Sequence, residues 1–432
     1  MKPLQRIVEA VSNGKRVVSV SGLADGAAAL FIAQLGESLK RPVVVVTADA
    51  NRSQTLADGI GFFAEQGAAG RARSVHLPVS DTMPYHPTVP NRFPIMKRMS
   101  VLFRMAQGMS VDFMTCSVAS LVRATVPTSW MNDLADLVLA GDTLDREQLL
   151  LNLERAGYNR VPLVEDPGTF AVRGGILDVY SPVEPGPIRI DLFDDMVDTL
   201  RFFNPATQRS GKSVDELTIA PVQEVLVTEQ TLQHARGSLR EQAGELGLPA
   251  PQVRAILGEL QSGMRPLGVE GWLPAFYETP GWVTDYVPQN AIWLVDEPMA
   301  VQEALEDVQV NAMEGFAQAK DQGQLAYPVD RLFADALPPM NVQMSTLAYE
   351  EDVADTVHFP LQVQTHHLLR STLKQERGHE NALRSLQEAI QGWREEGRVV
   401  VAVAAGRGHA ERLRSILAQY ELDVVSQGKQ SG

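Results

Sequence analysis

Cysteine is almost missing from this 432-residue chain: Cys116 stands alone. A single cysteine excludes an internal disulfide framework and a multi-cysteine zinc site. Long apolar runs are missing too. Runs such as 43–46 and 399–405 fall far short of the roughly 18 residues a membrane span needs. The N-terminus, MKPLQRIVEAVSNGKR, has no apolar stretch that could act as a signal peptide. The expected location is therefore the cytoplasm, with no membrane contact. Positive charge is in short supply as well. The 38 Lys/Arg against 53 Asp/Glu leave −15, which argues against coating nucleic acid through bulk charge. The deficit is uneven: residues 1–110 hold 13 basic and 7 acidic side chains (+6), the rest 25 and 46 (−21). Either different parts of the chain meet different partners, or the domains simply vary in charge.

What is present reads as α/β and multidomain. Residues 16–20 form a short apolar strand, 27–39 a helix and 42–47 a continuous apolar strand of the kind buried in a parallel sheet. That is a βαβ unit. The four prolines of 81–94 mark an irregular loop, followed by a helix with Ile95, Met99, Leu102, Phe103 and Ala106 on one face. Residues 111–116 read as another core strand. After a short helix at 144–156, strict alternation takes over. Ile188, Ile190 and Leu192 face one way, and Arg189, Asp191 and Phe193 the other. Gly174-Gly175 reads as a tight turn between strands 170–173 and 176–180. The expected divisions are an α/β domain at 1–125, a small β-rich domain at 126–222, a mostly helical return at 223–335 and an α/β unit at 345–432. Within the last, 398–404 and 422–425 are expected strands around a helix at 409–419. A strand so close to residue 432 points to a piece of something longer.

Candidate chemistry is thin. The turn Ser21-Gly22-Leu23-Ala24-Asp25-Gly26-Ala27-Ala28 is placed like a phosphate-binding loop. The working pattern, G-x-x-x-x-G-K-[ST], supplies backbone amides, a Lys for the β/γ-phosphates and a hydroxyl for Mg²⁺. Only Gly26 keeps its place; Ala27 and Ala28 stand where the Lys and the hydroxyl belong, and Asp25 repels phosphate. No cofactor and no ATP chemistry is expected here. Asp296-Glu297, at the end of an apolar strand, has the shape of an acid pair for Mg²⁺, though acids are common at strand ends. His366-His367 lacks the further ligands of a metal site. Cys116 has no His–acid couple in the sequence. No catalytic or metal-binding residue is therefore assigned. Arg92, Lys97, Arg98 and Arg104 form the best basic cluster: either weak DNA contacts or a solvated helix face.

The informative stretch is TFAVRGGILDVYSP (169–182) followed by IRIDLFDDMVDTLRFFNPATQRS (188–210). It resembles the second domain of UvrB repair helicases and, more closely, that of the bacterial transcription-repair coupling factors. The shared pattern is a strand ending in Arg-Gly, an acid in the next strand, then Phe-x-Asp and a second Arg. Arg173, Gly174, Asp178, Arg189, Phe193, Asp195 and Arg201 hold those places. Residues 151–161, 77–105 and 268–298 are similar to other segments of the same family. The likeness is good over 1–335 and loose over 345–432.

The resemblance implies UvrB-like domains 1a (1–125), 2 (126–222) and 1b (223–335): a helicase-like fold with a degenerate nucleotide loop and an inserted domain that docks onto the repair ATPase UvrA. It implies Arg173 and Asp178 as exposed contacts, with Arg160, Phe170 and Tyr180 beside them. Arg173 could instead pair internally with Asp178, and Phe170 and Tyr180 could be core. It further implies a role in recruiting UvrA to stalled RNA polymerase, with polymerase-binding and DNA-translocating ATPase modules lying beyond residue 432. The alternatives are a nucleotide-dependent helicase with a divergent loop and a direct binder of damaged DNA.

Overall fold

The computed structural model describes residues 3–14, 17–24, 26–65, 73–80, 83–86, 88–89, 91–109, 111–347, 356–361, 363, 365–376, 383–402, 404, 406–420 and 422–424. Its strands, in chain order, are β1 (Val17–Ser21), β2 (Val43–Thr47), β3 (Ser74–Leu77), β4 (Phe113–Ser117), β5 (Asp136–Leu139), β6 (Asn159–Arg160), β7 (Thr169–Arg173), β8 (Ile176–Tyr180), β9 (Ile188–Phe193), β10 (Met196–Phe203), β11 (Ser210–Val214), β12 (Glu216–Ile219), β13 (Ile292–Asp296), β14 (Val342–Ser345) and β15 (Thr356–Pro360). Four helices matter below: α1 (Pro3–Asn13), α2 (Gly26–Leu39), α3 (Ala50–Glu65) and α4 (Arg92–Ala106).

Seven parallel strands make the main sheet, in the order β15-β1-β14-β13-β2-β4-β3. All five residues of β2 and of β4 are buried, which is why these strands read as unbroken apolar runs. Six strands make a second, mostly antiparallel sheet in the order β11-β10-β9-β8-β7-β6, and β5 pairs with β12 beside it. This second sheet has its own core. Phe170, Leu177, Val179, Ile188, Ile190, Val197 and Leu200 are buried there together with Leu149 and Leu153 of the helix Arg146–Arg155. At roughly 1.5–3 kcal/mol for each large apolar side chain, that cluster is ample for an inserted domain.

The α4 helix links the two sheets. Asn91 caps it, its side chain accepting from the Phe93 N–H, and Pro94 fits the first turn. Most of its apolar face belongs to the main core, but Met96 sits in the core of the second sheet. Gly168, at φ +73°, lets it approach, since a Cβ there would lie 2.5 Å from Met96 Sδ.

Two expectations need correction. The last unit does not begin at residue 345: β14 and β15 both pair with β1 in the main sheet, and the compact division falls between Leu361 and Gln362. The segment Gln362–Gly432 is, among its described residues, helical only, with helices His367–Gln375, Arg384–Glu395 and Arg407–Ala418 around Ile390, Leu417 and Leu422. Residues 399–401 and 422–424 are not strands, and residues 403, 405 and 425 lie outside the described residues. An apolar run becomes a strand only when neighbours satisfy its backbone, and the described residues of this unit include no other strand to pair with. Val399 is accordingly 88% exposed.

His76, on β3, titrates outside its usual range. Its Nδ1 lies 2.9 Å from Ser53 Oγ, and burial, with Lys97 nearby, lowers its pKa from 6.5 to about 4. The unfolded chain therefore takes up a proton that the folded one refuses. Stability is expected to fall as pH drops from about 6.5 to about 4, and His76→Gln should flatten that slope. Thermal denaturation of both chains across this range checks it.

Candidate functional site

The candidate site is the outward face of the six-stranded sheet. Alternation along β7–β10 sends the apolar set inward and the remaining side chains outward. Strand register then lines up Ala171, Asp178, Arg189 and Arg201 in one cross-strand row. Asp178 is fully buried within that row. Its Oδ1 accepts from Arg189 Nε–H at 2.7 Å, and its Oδ2 accepts from Arg189 Nη2–H at 3.0 Å and from Arg173 Nη2–H. Arg189 is further set by Phe203, whose ring lies 4.8 Å beneath the guanidinium, and by the Gln208 carbonyl at 3.3 Å. The hydrogen bonds that Arg189 donates to Asp178 raise its pKa, so its charge is permanent.

One carboxylate thus organises two guanidinium groups, and the row carries a surplus of positive charge. The Arg173 side chain is still 43% exposed. Arg201 is exposed in the same row, and the β9–β10 tip projects Phe193, 68% exposed, beside Asp194 and Asp195. Fixed guanidinium forks next to an exposed aromatic are suited to a carboxylate-bearing protein surface.

The structure sorts the five expected contact residues. Arg173 and Arg160 are exposed, Arg160 on the short edge strand β6. Tyr180 is half-buried against the small cluster of Val164, Ala171 and Phe203. Asp178 and Phe170 are corrections: both are fully buried, so they support the face and do not form it. Buried Asp178 takes the internal pairing because two cations compensate its desolvation. Phe193 and Arg201, noted in sequence only as pattern positions, are the exposed members of the face. Alternation with Arg189 and Asp191 was the signal that placed Phe193 outward.

The basic cluster on α4 is a further correction. Arg98 is 2% exposed and donates from Nε to Glu224 Oε1 at 2.8 Å and from Nη1 to the Ser120 carbonyl at 2.9 Å and Ser120 Oγ at 2.7 Å. Arg92 donates to the Gly157 carbonyl at 3.1 Å and Arg104 to the Val183 carbonyl at 2.9 Å. Lys97 is exposed, with Nζ 3.3 Å from Gln54 Oε1. Three of the four side chains therefore hold the β-rich domain and its return linker, Arg98 buried and Arg92 and Arg104 half-buried. Sequence pattern missed this because the accepting groups lie far along the chain.

The loop after β1 does not fit a magnesium nucleotide. Gly22 has φ +81°, and a Cβ there would fall 2.0 Å from the Leu361 carbonyl oxygen. Ser21 Oγ lies 2.8 Å from His358 Nε2, the Leu23 N–H donates to the Ser345 carbonyl and the Ala27 N–H to the Ala24 carbonyl, each at 3.1 Å. Gly26 opens α2, and Ala28 is buried in it. Asp25 lies outside the described residues. No lysine or hydroxyl stands at Ala27 and Ala28, and the acid Asp296 is already paired with Arg52. Elsewhere, Cys116 is buried and its thiol pushed up to about 12 by desolvation. The His366 ring lies against Trp393, and no group of metal-ligating side chains occurs among the described residues. No described helix is long and apolar enough to cross a membrane.

Comparison with known proteins converges on the same region. Residues 138–224 match a family described as the UvrB interaction domain. Over 433 residues the chain is 31% identical to a transcription-repair-coupling factor of Myxococcus xanthus, covering 96% of this chain and 36% of that one. It is 24% identical to the Bacillus subtilis factor over 97% of this chain and 36% of that one, and 28% identical to the Escherichia coli factor over 62% and 23%. The chain spans about a third of the length of the first two of these relatives.

Proposed function

We propose, from the premise that the chain is a UvrB-like module of the transcription-repair-coupling-factor family, that the outward face of its six-stranded sheet docks the repair ATPase UvrA. The observation that carries this is Asp178. A fully buried acid holding Arg173 and Arg189 in fixed positions, inside the matched domain, is how a rigid recognition face is built. Arg173, Arg201 and Phe193 are the contacts, and Arg160 and Tyr180 border them.

The module is a recruiting part and not a motor. The Ala27/Ala28 loop and the Arg52–Asp296 pair argue against nucleotide turnover, and the engaged arginines of α4 argue against direct damage recognition. In a whole factor this role is to bring UvrA to stalled RNA polymerase in the cytoplasm, with polymerase and DNA contacts made by other parts.

Arg173→Ala is expected to weaken UvrA binding by about 1.5–3 kcal/mol, the scale of a charged hydrogen bond. Buried Asp178 keeps the Arg189 fork, so the chain should stay folded with a modest fall in melting temperature. Titration of purified UvrA against both chains tests the reading, and wild-type affinity in a well-folded Arg173→Ala chain would remove this face from the interface.

A further inference from the structure

We infer that the outward face of the helix Pro298–Asp321 is a docking seam for an amphipathic partner helix flanked by Lys and Arg. This 24-residue helix follows β13 and carries two rows on opposite sides. The inner row is Val301, Leu305, Val308, Ala312, Gly315 and Ala319, advancing by alternate steps of four and three. Val301, Leu305, Ala312 and Ala319 are buried in the main core, Val308 packs against it, and a Cβ on Gly315 would lie 3.0 Å from the Tyr85 ring. That row seats the helix on its own domain.

The outer row is Met299, Glu303, Glu306, Val310, Met313 and Ala317. It starts two residues earlier and keeps the same steps, so it lies about 200° around the helix. All six residues are exposed, Met299 by 68%, Met313 by 56% and Val310 by 47%. Alternate steps of four and three are the spacing by which one helix receives the knobs of another. Charge then selects the partner. The helix holds Glu303, Glu306, Asp307, Glu314 and Asp321 against one base, Lys320. All five acids are exposed, and none is ion-paired among the described residues. Asp307, Glu314 and Asp321 recur every seven residues along one flank of the row. Glu303 and Asp307 stand four apart, a like-charge spacing that destabilises a helix. Cations on a partner helix relieve that repulsion, and the same acids turn away phosphate-bearing nucleic acid and anionic lipid. The seam lies outside residues 138–224 and does not depend on the UvrA reading.

The probe is a synthetic three-heptad peptide with Leu at both seam positions and Lys beside them. It is titrated against the full chain by fluorescence anisotropy, next to a scrambled peptide of the same composition and a version with Glu in place of Lys. The amphipathic Lys peptide should bind at least about tenfold more tightly than either control. Val310→Gln with Met313→Gln should weaken that binding at least about tenfold and leave Tm unchanged, since both side chains are exposed. Glu303→Lys with Asp307→Lys and Glu314→Lys should reverse the preference, toward the Glu peptide. No binding, or equal binding of the scrambled peptide, would overturn the seam. Full binding in the Val310 and Met313 double variant would overturn its placement on this helix. Sedimentation of the chain alone supplies the last arm: a concentration-dependent dimer that the same double variant abolishes would make the occupant a second copy and overturn the basic partner.

Discussion

Glu224→Ala should destabilise the chain by about 3–5 kcal/mol, the scale expected when one member of a buried ion pair is removed. Glu224 and Arg98 are 3% and 2% exposed, so neither charge is relieved by water once its partner is gone. The Glu224 Oε1 atom also accepts from Thr125 Oγ1 at 2.9 Å, and the backbone carbonyl of Glu224 accepts from Tyr277 O–H at 2.7 Å. These residues lie where the chain enters and leaves the β-rich domain, so the loss falls on the joint between the two sheets. Burial opposes the Glu224 charge, but Arg98 and Arg123 outweigh it and hold the carboxyl below its ordinary range. A lowered carboxylate pKa gives stability that is present above about pH 4.3 and is lost as pH falls through the folded value.

Urea denaturation followed by near-ultraviolet circular dichroism measures this loss. The β-rich domain has its own core, so in the variant it should unfold separately from the main sheet. Replacing both partners with apolar residues, as in Arg98→Met with Glu224→Leu, should recover most of the loss, because no charge is then left unpaired. A Glu224→Ala chain as stable as wild type would mean that water reaches Arg98.

How much of this was legible beforehand follows the range of the interaction involved. The four valines of β2, the alternation of β9 and the Gly174 turn are set by neighbours in sequence, and the strands formed where the pattern placed them. The membership of β15 in the main sheet depends on pairing with Val17–Ser21, more than 300 residues away, and no local pattern carries that. Burial of charge was the least legible property. Arg98 sits on a helix between exposed Lys97 and buried Met99, and its partner Glu224 lies 126 residues on. The family pattern implies Asp178 as an exposed contact and leaves its pairing with Arg173 open, because an acid's burial is not written in its own strand. The burial of Asp178 depends on Arg173 and Arg189 arriving from both neighbouring strands. The candidate face was therefore legible as a location, through its alternation and family pattern, while the division into supporting and contacting residues required the packing.

That division makes Asp178 the more damaging position to change, although it touches no partner. Asp178→Ala leaves the half-buried Arg189 guanidinium without its counter-charge and frees Arg173 from its fixed rotamer. The expected stability loss is about 1–3 kcal/mol, held down because Arg173 and Arg189 keep access to water, and confined to the β-rich domain, where Asp178 is fully buried between β7 and β9. UvrA affinity should fall further than in Arg173→Ala, because two guanidinium groups lose their positions together. Asp178→Asn separates the two effects. It keeps the shape and one acceptor oxygen, so the domain should stay folded, but it loses the negative charge and turns an N–H toward an arginine donor, and affinity should still drop at least tenfold, about 1.4 kcal/mol. Calorimetric titration with UvrA, alongside hydrogen exchange of the β7–β9 amides, reports binding and folding in the same chain. Full affinity in a folded Asp178→Asn chain would show that Arg173 and Arg189 recognise their partner without being held, and the recognition face would then have to be assigned to Phe193 and the β9–β10 tip.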